Sequence, residues 1–430
     1  MKGRYIAGID LGSTKVCLMV GRVGRGGVEI VGAASVASQG LRKGVVVDID
    51  ETANSINLAV KEVRSASGVD IRAAYVGISG GHIKSHESYG ATGIKGKEVG
   101  PADLDRVIES ASALYVPLDR EVLHVLPSEF IIDGQDGISK PFGMAGVRLE
   151  VKVQVLTASQ AALENIGRAL ERSGLRALEM VFQPLAGSMA VLRDDELQQG
   201  VLLIDMGGGV TDVALFKGGA LRWAGVIPVG GTHTTNDIAV GLQLPQKEAE
   251  RLKLRQGLGP ETLKVNLFES EESVEAKSMN GKARQVPHAE LARIIRLRTE
   301  ELFELVKDEA EPQIIRHQPL CAVITGGASQ MKDIAPMAER WLGLPVRTGL
   351  PERFLSQGGL FAEALRDPGS ATAAGLLLYG LDAEGGAAAL QGHPFSDSIE
   401  TLRQTVIEQG SALAKKLMGK VRRFEWGTHE

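Results

Sequence analysis

Two segments of the chain repeat one pattern of apolar and polar positions. Residues 5–20 (YIAGIDLGSTKVCLMV) and residues 201–216 (VLLIDMGGGVTDVALF) each place an apolar run before an aspartate, then a turn that contains glycine and threonine, then a second apolar run. This pattern predicts a β-hairpin in both places, with the aspartate at the end of the first strand. A hairpin that recurs so far along the chain predicts two similar lobes.

The spacing of apolar residues elsewhere predicts helices that alternate with strands. The predicted helices are 50–66, 158–173, 183–192, 244–256, 287–311 and 371–379, with one more from Ser329, and the predicted strands are 28–34, 73–80, 177–182 and 321–327. Residues 82–155 differ in character, because polar, glycine-rich turns separate a predicted helix at 101–115 from strands at 121–132 and 148–156. We interpret this part as an inserted α/β subdomain.

The predicted fold class is α/β, with two lobes, a subdomain inserted in the first lobe, and a C-terminal linker followed by an amphipathic helix. The predicted domains are the first-lobe core (1–81 and 156–192, with 366–380), the inserted subdomain (82–155), the second-lobe core (193–241 and 302–365), a small second-lobe subdomain (242–301), a flexible linker (381–410) and the amphipathic helix (411–430). A length of 430 residues agrees with more than one domain.

Composition and charge argue against several classes of protein. The chain shows no signal-peptide pattern and no apolar run long enough to span a bilayer, so we expect it to be neither secreted nor transmembrane. Its two cysteines, Cys17 and Cys321, lie in apolar strand-like runs, which is typical of buried thiols in a reducing cytoplasm. The net charge of −5 argues against general nucleic-acid binding.

The two glycine turns have the composition of a phosphate site. A triphosphate needs backbone N–H groups close to its oxygens, which glycine permits, and a metal whose water shell is held by carboxylates. Asp10 and Asp205 are therefore predicted to hold the waters of one Mg²⁺ between the lobes. The residues predicted to cradle the β- and γ-phosphates are Gly12, Ser13, Thr14 and Lys15 from one side and Gly207, Gly208, Gly209 and Thr211 from the other. Either turn alone is more often an ordinary turn, whereas two turns with the same layout indicate a shared ligand.

A third glycine turn follows the predicted strand that ends near Thr325. Gly326 and Gly327 lie between this strand and a predicted helix, an arrangement that lets the backbone pack against an adenosine and an α-phosphate. An ordinary strand-to-helix turn has the same pattern, so both interpretations stay open at this point.

Residues 411–426 (SALAKKLMGKVRRFEW) form an amphipathic helical pattern. Its apolar face, flanked by Met418, consists of Leu413, Leu417, Val421 and Phe424, and its basic face, with Lys420 at the border, consists of Lys415, Lys416, Arg422 and Arg423. Such a helix is typical of segments that lie in the interface of an anionic lipid membrane. The alternative is a helix that docks on the protein's own body or on a partner. The linker before it favours the membrane, because a docked helix does not need such slack.

The turn sequences resemble the motifs of a known superfamily. Residues 10–15 (DLGSTK), 205–212 (DMGGGVTD) and 325–328 (TGGA) resemble the two phosphate motifs and the adenosine motif of the actin, sugar-kinase and DnaK-type ATPases, and residues 183–186 and 371–375 resemble their two connecting helices. The resemblance covers most of the chain. It implies a two-lobed actin-like ATPase fold that binds ATP and Mg²⁺ between lobes hinged on the connecting helices.

The resemblance also implies roles for three further residues. Residues 249–253 (AERLK) resemble the Ala-Glu-x-x-Lys helix of the superfamily, so Glu250 and Lys253 are candidates for contact with ribose and adenine. Gln183 stands where DnaK-type members have a glutamate and actins have a glutamine that positions the attacking water. Because a neutral amide orients water but is a poor base, the resemblance implies slow ATP hydrolysis at best and leaves open whether the chain is an enzyme.

Within the superfamily the chain resembles the FtsA family of bacterial cell-division proteins. Residues 73–85 (AAYVGISGGHIKS) resemble the entry to the FtsA insert, residues 227–239 (IPVGGTHTTNDIA) resemble the FtsA loop after the second phosphate motif, and the amphipathic tail is similar to the FtsA membrane anchor. The resemblance implies filaments on the inner face of the cytoplasmic membrane at the division septum. It also implies binding of the C-terminal peptide of the tubulin-like FtsZ and recruitment of later division membrane proteins. The candidate FtsZ contacts are Arg298, Glu301 and Glu304, although charges of this kind are also typical of a solvated helix face.

Three other functions share parts of these patterns. A pilus-assembly adaptor of the PilM type has this fold and insert, but is not expected to end in a linker and a basic amphipathic helix. An MreB-like filament protein lacks the insert at 82–155. A small-molecule kinase needs a catalytic aspartate and a substrate pocket, and no motif in the sequence marks either one.

Overall fold

A computed structural model describes residues 4–24, 27–258, 273–355 and 361–383. The strands are β1 (Tyr5–Leu11), β2 (Lys15–Gly24), β3 (Gly27–Ala37), β4 (Leu41–Arg42), β5 (Val45–Val46), β6 (Ala73–Ile78), β7 (Lys84–Gly93), β8 (Arg120–Ile132), β9 (Gln135–Ile138), β10 (Arg148–Ser159), β11 (Arg176–Phe182), β12 (Val201–Met206), β13 (Thr211–Lys217), β14 (Ala220–Ile227), β15 (Ser273–Lys277), β16 (Ala283–Pro287), β17 (Cys321–Thr325) and β18 (Val346–Thr348). The helices are α1 (Ile49–Ser67), α2 (Pro101–Ser112), α3 (Gln160–Arg172), α4 (Gln183–Val191), α5 (Asp194–Gln199), α6 (Gly231–Gly241), α7 (Gln246–Gln256), α8 (His288–His317), α9 (Ile334–Leu342), α10 (Glu352–Leu355), α11 (Ala362–Leu365) and α12 (Ala371–Ala383).

The first lobe is organised around a five-stranded sheet with the order β11–β6–β1–β2–β3. Its apolar central strand β1 is antiparallel to β2, as the hairpin pattern predicts, and parallel to β6. Helix α1 begins after Asp48, whose side chain accepts a hydrogen bond from the N–H of Glu51, and ends at Gly68, whose φ of 70° is left-handed. Helix α1 packs against β3 and α3, while α12 packs against β1 and α4.

The insert has a sheet and a core of its own. The four strands have the order β7–β10–β8–β9, and α2 covers β7 and β10. Strand β10 runs out of this subdomain into the first lobe, since Val155 lies in the core of the insert and the next residue, Leu156, lies in the core of the first lobe. The insert also contacts the second lobe, because the amide of Gln154 donates to the carbonyl of Arg222 over 2.6 Å.

The second lobe repeats the arrangement of the first. Its five-stranded sheet has the order β14–β13–β12–β17–β18, with β12 antiparallel to β13 and parallel to β17. Helices α6 and α7 pack together, α8 packs against α6 and α9, and the hairpin β15–β16 extends from this group. The predicted two-lobed α/β architecture with an inserted subdomain is confirmed.

The structure corrects three predicted boundaries. The helix predicted from Ser329 is a 3₁₀ turn over Gly327–Gln330, and α9 begins only at Ile334, because Asp333 has a left-handed φ of 61°. The helix predicted at 287–311 continues to His317 and crosses the predicted domain boundary between 301 and 302. Residues 381–383, which the sequence pattern assigns to the linker, continue helix α12.

The remaining linker residues and the whole predicted amphipathic helix lie outside the described residues. They include the predicted membrane-binding residues Leu413, Lys415, Lys416, Leu417, Val421, Arg422, Arg423 and Phe424. Within the described ranges, no helix combines the length and the apolar composition that crossing a bilayer requires.

Candidate functional site

The two predicted phosphate turns lie against each other between the lobes. Each turn joins the two strands of an antiparallel hairpin, in which Asp10 is opposite Cys17 in one and Asp205 is opposite Asp212 in the other. A Cβ added to Gly208 would lie 2.3 Å from Cγ2 of Thr14. This distance is far below van der Waals contact, so only glycine permits the two turns to approach this closely.

A cleft with an empty volume of about 560 Å³, including the part open to solvent, lies at this junction. It is lined by Asp10, Leu11, Gly12, Ser13, Thr14, Lys15, Gly44, Ser79, Gln183, Asp205, Gly207, Gly208, Gly209, Val210, Gly326, Gly327, Pro368, Gly369 and Thr372. The fold therefore brings together both predicted metal-binding aspartates, all three glycine turns and Gln183.

The cleft concentrates buried carboxylates. Asp10 and Asp205 are 9% and 6% exposed. Burial, with a contribution from the neighbouring Asp205, raises the pKa of Asp10 to about 7, and burial raises the pKa of Asp205 to about 6. Asp212 is also buried, and burial together with Asp205 raises its pKa well above the usual range. The hydroxyl of Ser79, in the first lobe, donates a hydrogen bond to Asp212, in the second.

Gln183 faces one of these carboxylates directly. Its side-chain amide donates to Oδ1 of Asp10 over 2.6 Å, and the whole side chain is buried at the start of α4. The residue that the resemblance assigns to water positioning therefore lies at the same end of the cleft as the predicted metal-binding residues.

Lys15 has a partner that the sequence pattern does not reveal. Its Nζ lies 2.9 Å from Oδ2 of Asp367. Burial opposes the charge on Lys15, but the carboxylate of Asp367 outweighs this effect and raises the lysine pKa. Asp367 in turn accepts hydrogen bonds at Oδ1 from the backbone of Gly369 and from the side chain of Gln330, both at 2.7 Å. The lysine is thus held as a cation at the edge of the cleft.

The segment before and at the start of α6 supports the second phosphate turn. The N–H of Gly231 donates to the carbonyl of Gly207 over 3.0 Å, and the hydroxyl of Thr232 donates to the carbonyl of Gly208 over 2.7 Å. The hydroxyl of Thr211 is buried and donates to the carbonyl of Val229 over 2.8 Å. Thr211 is therefore placed behind the turn rather than on the cleft wall.

The third glycine turn closes the cleft next to Asp205. Gly326 has a left-handed φ of 87°, and a Cβ on it would lie 2.3 Å from Oδ1 of Asp205. A Cβ on its neighbour Gly327 would meet no atom within 4 Å, so the backbone there borders open space. The turn combines one glycine that the packing demands with one that leaves room for a ligand.

Glu250 and Lys253 lie beside this turn, on α7. The ammonium of Lys253 donates to Glu250 over 2.7 Å, to the hydroxyl of Thr235 over 3.0 Å and to the carbonyl of Gly231 over 3.1 Å. Burial lowers the pKa of Lys253. Because a Cβ on Gly231 would meet both Lys253 and Ala328, Lys253 lies close to the 325–328 turn, and Glu250 is joined to Lys253 by their ion pair.

The candidate partner-binding residues lie elsewhere, on α8. Arg298 contacts Asp237 of α6 over 2.5 Å and Glu301 over 2.7 Å, so it holds two helices together. Glu304 is exposed one turn further on, and Leu297 is 49% exposed beside them. Of the three predicted contacts, Glu304 offers its charge most openly, whereas Arg298 has a role within the fold.

The donor set of the cleft fits a hydrated divalent cation. Two buried carboxyl groups, Asp10 and Asp205, line the cleft together with one ammonium group, Lys15, and Asp212 is buried next to Asp205. In the described part of the chain, no three histidine, cysteine, aspartate or glutamate side chains are arranged to ligate a metal directly. Binding through water molecules, as the sequence predicts, agrees with both observations.

Sequence reasoning missed several residues that complete the site. Ser79, Asp367 and Thr372 come from distant segments, and only the fold brings them to the cleft. The signal for Asp212 was available, because a two-stranded hairpin centred on residues 207–210 places it opposite Asp205. Gly44 donates its N–H to the hydroxyl of Ser13 over 3.1 Å, from the turn between β4 and β5.

Comparisons with family models agree with this architecture. A model described as "SHS2 domain inserted in FTSA" matches residues 80–157, and one described as "Cell division protein FtsA" matches residues 202–375. The protein named "Cell division protein FtsA" of Pseudomonas aeruginosa is 40% identical over 88% of this chain and 90% of its own length. Its namesakes in Escherichia coli K12 and Bacillus subtilis 168 are 35% and 36% identical, over 88% and 86% of this chain and 90% and 82% of their own lengths.

Solved structures share the fold at lower identity. The chain is similar to one in a PilM–PilN type IV pilus biogenesis complex, with a TM-score of 0.64 and 19% identity over 87% of this chain and 98% of the other. It is also similar to MreB5 of Spiroplasma citri bound to ADP, with a TM-score of 0.50 and 14% identity over 90% of this chain and 99% of the other. These likenesses concern the fold, which is that of the actin-like ATPases.

Proposed function

The chain belongs to the FtsA family of cell division proteins. We propose that it binds ATP and polymerises on the inner face of the cytoplasmic membrane. We propose also that it tethers FtsZ there during cell division. In this role it also recruits later division membrane proteins at the septum. The nucleotide controls assembly, and the amphipathic tail determines where assembly happens.

The observation that carries the nucleotide part is the pairing of Asp10 and Asp205 in one cleft. Each is buried at the end of the first strand of a hairpin, and the glycine turns that follow lie against each other. Two carboxylates whose pKa values burial has raised are poorly stabilised as anions, and a divalent cation stabilises them. Mg²⁺ supplies charge neutralisation for the phosphates when it is bound.

The remaining residues of the cleft have complementary roles in this proposal. Ser13 and Thr14 of the first turn and Gly207, Gly208 and Gly209 of the second offer backbone N–H groups to phosphate oxygens. The N–H of Gly12 donates to the carbonyl of Lys15 over 3.0 Å and closes the first turn. Lys15 offsets phosphate charge, Gly326 and Gly327 border the adenosine, and Glu250 with Lys253 contacts the ribose and adenine. Thr211 supports the second turn from behind, through its bond to Val229.

In this proposal, Gln183 makes the chain a nucleotide-dependent switch rather than a fast ATPase. Its amide orients a water molecule but removes no proton from it, so ATP hydrolysis is slow. A nucleotide that is hydrolysed slowly keeps the two lobes in one state for long enough to act on filament assembly.

Asp205→Ala tests the cleft. We expect the variant to bind a fluorescent ATP analogue at least tenfold more weakly than wild type in Mg²⁺, since it loses one of the two carboxylates that hold the metal waters. In EDTA the two proteins should differ little. Equal affinities in Mg²⁺ would rule out the metal role of Asp205.

The membrane part of the proposal depends on the sequence of the tail. Its basic residues each contribute about 1 kcal/mol of attraction to an anionic lipid surface, and its apolar face adds a modest burial term. A chain that ends at Gly410 should bind ATP normally and should no longer sediment with vesicles of anionic lipid. Leu417→Glu in the full chain should act in the same way, with Glu430→Gln as a control that keeps binding.

Co-sedimentation with lipid, ATP and FtsZ in combination separates the division adaptor from a PilM-like pilus adaptor of the same fold. FtsZ should reach the vesicle pellet only when this chain is present with its tail. The likeness to the PilM structure, at 19% identity, concerns the fold alone. If FtsZ stayed in the supernatant under all conditions, the tethering role would have to be abandoned.

A further inference from the structure

A buried histidine links the insert to the nucleotide cleft. His124 lies on β8 of the insert sheet and is 7% exposed. Its Nε2 accepts a hydrogen bond from the backbone N–H of Phe182, 3.1 Å away at the end of β11. Since β8 and β11 belong to different sheets, this bond joins the inserted subdomain to the first lobe.

A β-bulge accounts for the direction of His124. Along the pairing of β8 with β10, Leu156 is opposite His124, but the next residue, Thr157, is opposite Val122. Leu123 is therefore the extra residue of a bulge immediately beside the histidine. Bulges commonly redirect a neighbouring side chain, and this one lies where β8 packs against β11.

The bond to Phe182 has a defined chemistry. Phe182 is fully buried, so its N–H needs an acceptor inside the protein. An imidazole accepts a hydrogen bond only when it is neutral. Burial lowers the pKa of His124 to about 4, so the side chain is neutral at physiological pH.

The residue after Phe182 is the one that faces Asp10. Phe182 is the N-cap of α4, and Gln183 begins that helix, with its amide 2.6 Å from Oδ1 of Asp10. One peptide bond thus separates the residue held by His124 from the side chain that lies in the cleft.

We propose that His124 is a positioning residue, which fixes the Phe182 backbone and thereby the Gln183 side chain in the cleft, so that the insert and the nucleotide site are coupled. The coupling rests on the proposed function, in which Gln183 orients water next to bound ATP. A partner that displaces β8 changes the position of Gln183 without touching the nucleotide.

The test compares variants of His124 in the full chain. His124→Leu and His124→Phe remove the acceptor, whereas His124→Gln keeps a side-chain carbonyl that accepts hydrogen bonds. His86→Leu is the matched control, because His86 is an exposed histidine on β7 of the same sheet. Hydrogen–deuterium exchange of residues 182–186 is measured without nucleotide, and ATP affinity and turnover are measured on the same samples.

The acceptor-free variants should exchange faster at 182–186 and turn ATP over about tenfold more slowly, with an ATP Kd within about twofold of wild type. His124→Gln and His86→Leu should resemble wild type. If wild type shows no ATP turnover, a second readout replaces it. This readout is the decrease in hydrogen–deuterium exchange at residues 183–186 when a non-hydrolysable ATP analogue binds. A His124→Leu variant that does not fold leaves His124→Phe to carry the same comparison.

Three results would overturn the coupling. The first is hydrogen–deuterium exchange at 182–186 that is unchanged in both His124→Leu and His124→Phe. The second is a loss of turnover and of protection from exchange in His124→Gln that equals the loss in those two variants. The third is faster exchange at 182–186 while ATP turnover, or the protection given by the analogue, stays at the wild-type value. Failure of the proposed function has a different signature, because wild type itself then binds no ATP while the exchange comparison still reports on the bond to Phe182.

Discussion

Gln183 donates its side-chain amide hydrogen to Oδ1 of Asp10 over 2.6 Å, although 173 positions separate the two residues in sequence. Asp10 lies near the end of β1 and Gln183 begins α4, so the bond joins the central strand of the first lobe to a helix that packs against α12. Both side chains are buried, and a change at one of them alters the surroundings of the other.

Asp10→Asn should make the nucleotide-free protein more stable at pH 7.5. Burial, then Asp205, raises the pKa of Asp10 from 3.8 to about 7. At pH values between 3.8 and about 7, the folded protein binds more protons than the unfolded chain, so the unfolding free energy of wild type falls as pH rises through this range. The asparagine does not titrate, and at about 1.4 kcal/mol per pKa unit it should gain at most about 4 kcal/mol in unfolding free energy. Urea unfolding between pH 4 and 8 measures the difference.

The variant keeps the Oδ1 atom that accepts the hydrogen bond from Gln183, so a change in stability does not come from loss of that bond. Asp136→Asn, at an exposed position of the insert, provides a second control with no expected effect. A wild-type stability that does not change between pH 4 and 7 would contradict the raised pKa.

Gly208→Ala should push the two phosphate turns apart. The new Cβ would lie 2.3 Å from Cγ2 and 2.5 Å from Oγ1 of Thr14. Overpacking of this kind costs about 1–3 kcal/mol of stability, and the displaced turn should weaken ATP binding at least tenfold. Thermal unfolding and binding of a fluorescent ATP analogue measure the two effects.

Thr14→Ala, added to Gly208→Ala, removes both atoms that clash and should restore most of the lost stability. Gly81→Ala is the matched control, since a Cβ there meets nothing within 4 Å. If the double variant were no more stable than Gly208→Ala, the contact with Thr14 would not be the cause.

Arg298 and Glu304 should behave differently in a test of FtsZ binding. Arg298 joins α8 to α6 through Asp237, so Arg298→Ala should lower the unfolding free energy by about 1–3 kcal/mol. Glu304 is exposed, and Glu304→Lys should leave stability unchanged within about 0.5 kcal/mol. Binding of the FtsZ C-terminal peptide, measured by fluorescence anisotropy, should respond to Glu304→Lys if α8 forms the contact.

Two results would contradict this division of roles. One is an Arg298→Ala variant as stable as wild type, and the other is peptide binding that is indifferent to Glu304→Lys. Lys307→Glu, on the next turn of α8, extends the test to a half-buried position of the same helix.

The sequence was sufficient where a local pattern defines the structure. The repeated hairpin predicted β1–β2 and β12–β13, with Asp10 and Asp205 at equivalent ends, because a continuous apolar run on each side of a glycine turn defines the two strands and the turn that joins them. It also predicted that Gln183 begins a helix. These features depend on residues close together in the chain.

Contacts between distant segments could not be predicted in the same way. No local pattern reveals that Asp367 pairs with Lys15, 352 positions away, or that Ser79 donates to Asp212 across the lobes. The left-handed φ of Asp333, which delays the start of α9, is likewise set by its surroundings rather than by a glycine in the sequence.

Asp367→Asn should increase the affinity for ATP. In wild type the carboxylate competes with the phosphates for Lys15, which it contacts at 2.9 Å. The asparagine keeps the Oδ1 atom that accepts from Gly369 and Gln330, whereas the negative charge and the Oδ2 acceptor that faces Lys15 are lost. Since partly exposed ion pairs contribute about 0.2–1 kcal/mol, the Kd should fall by a factor of about 1.4 to 5.

The gain should disappear in a Lys15→Met background, because the two substitutions act on one interaction, and a double-mutant cycle on ATP affinity measures this coupling directly. It should also shrink as salt is raised, since screening weakens a pair whose side chains are 26% and 35% exposed. An Asp367→Asn variant that binds ATP more weakly than wild type would instead assign the carboxylate to the nucleotide site itself, where its charge would act through the metal rather than against the phosphates.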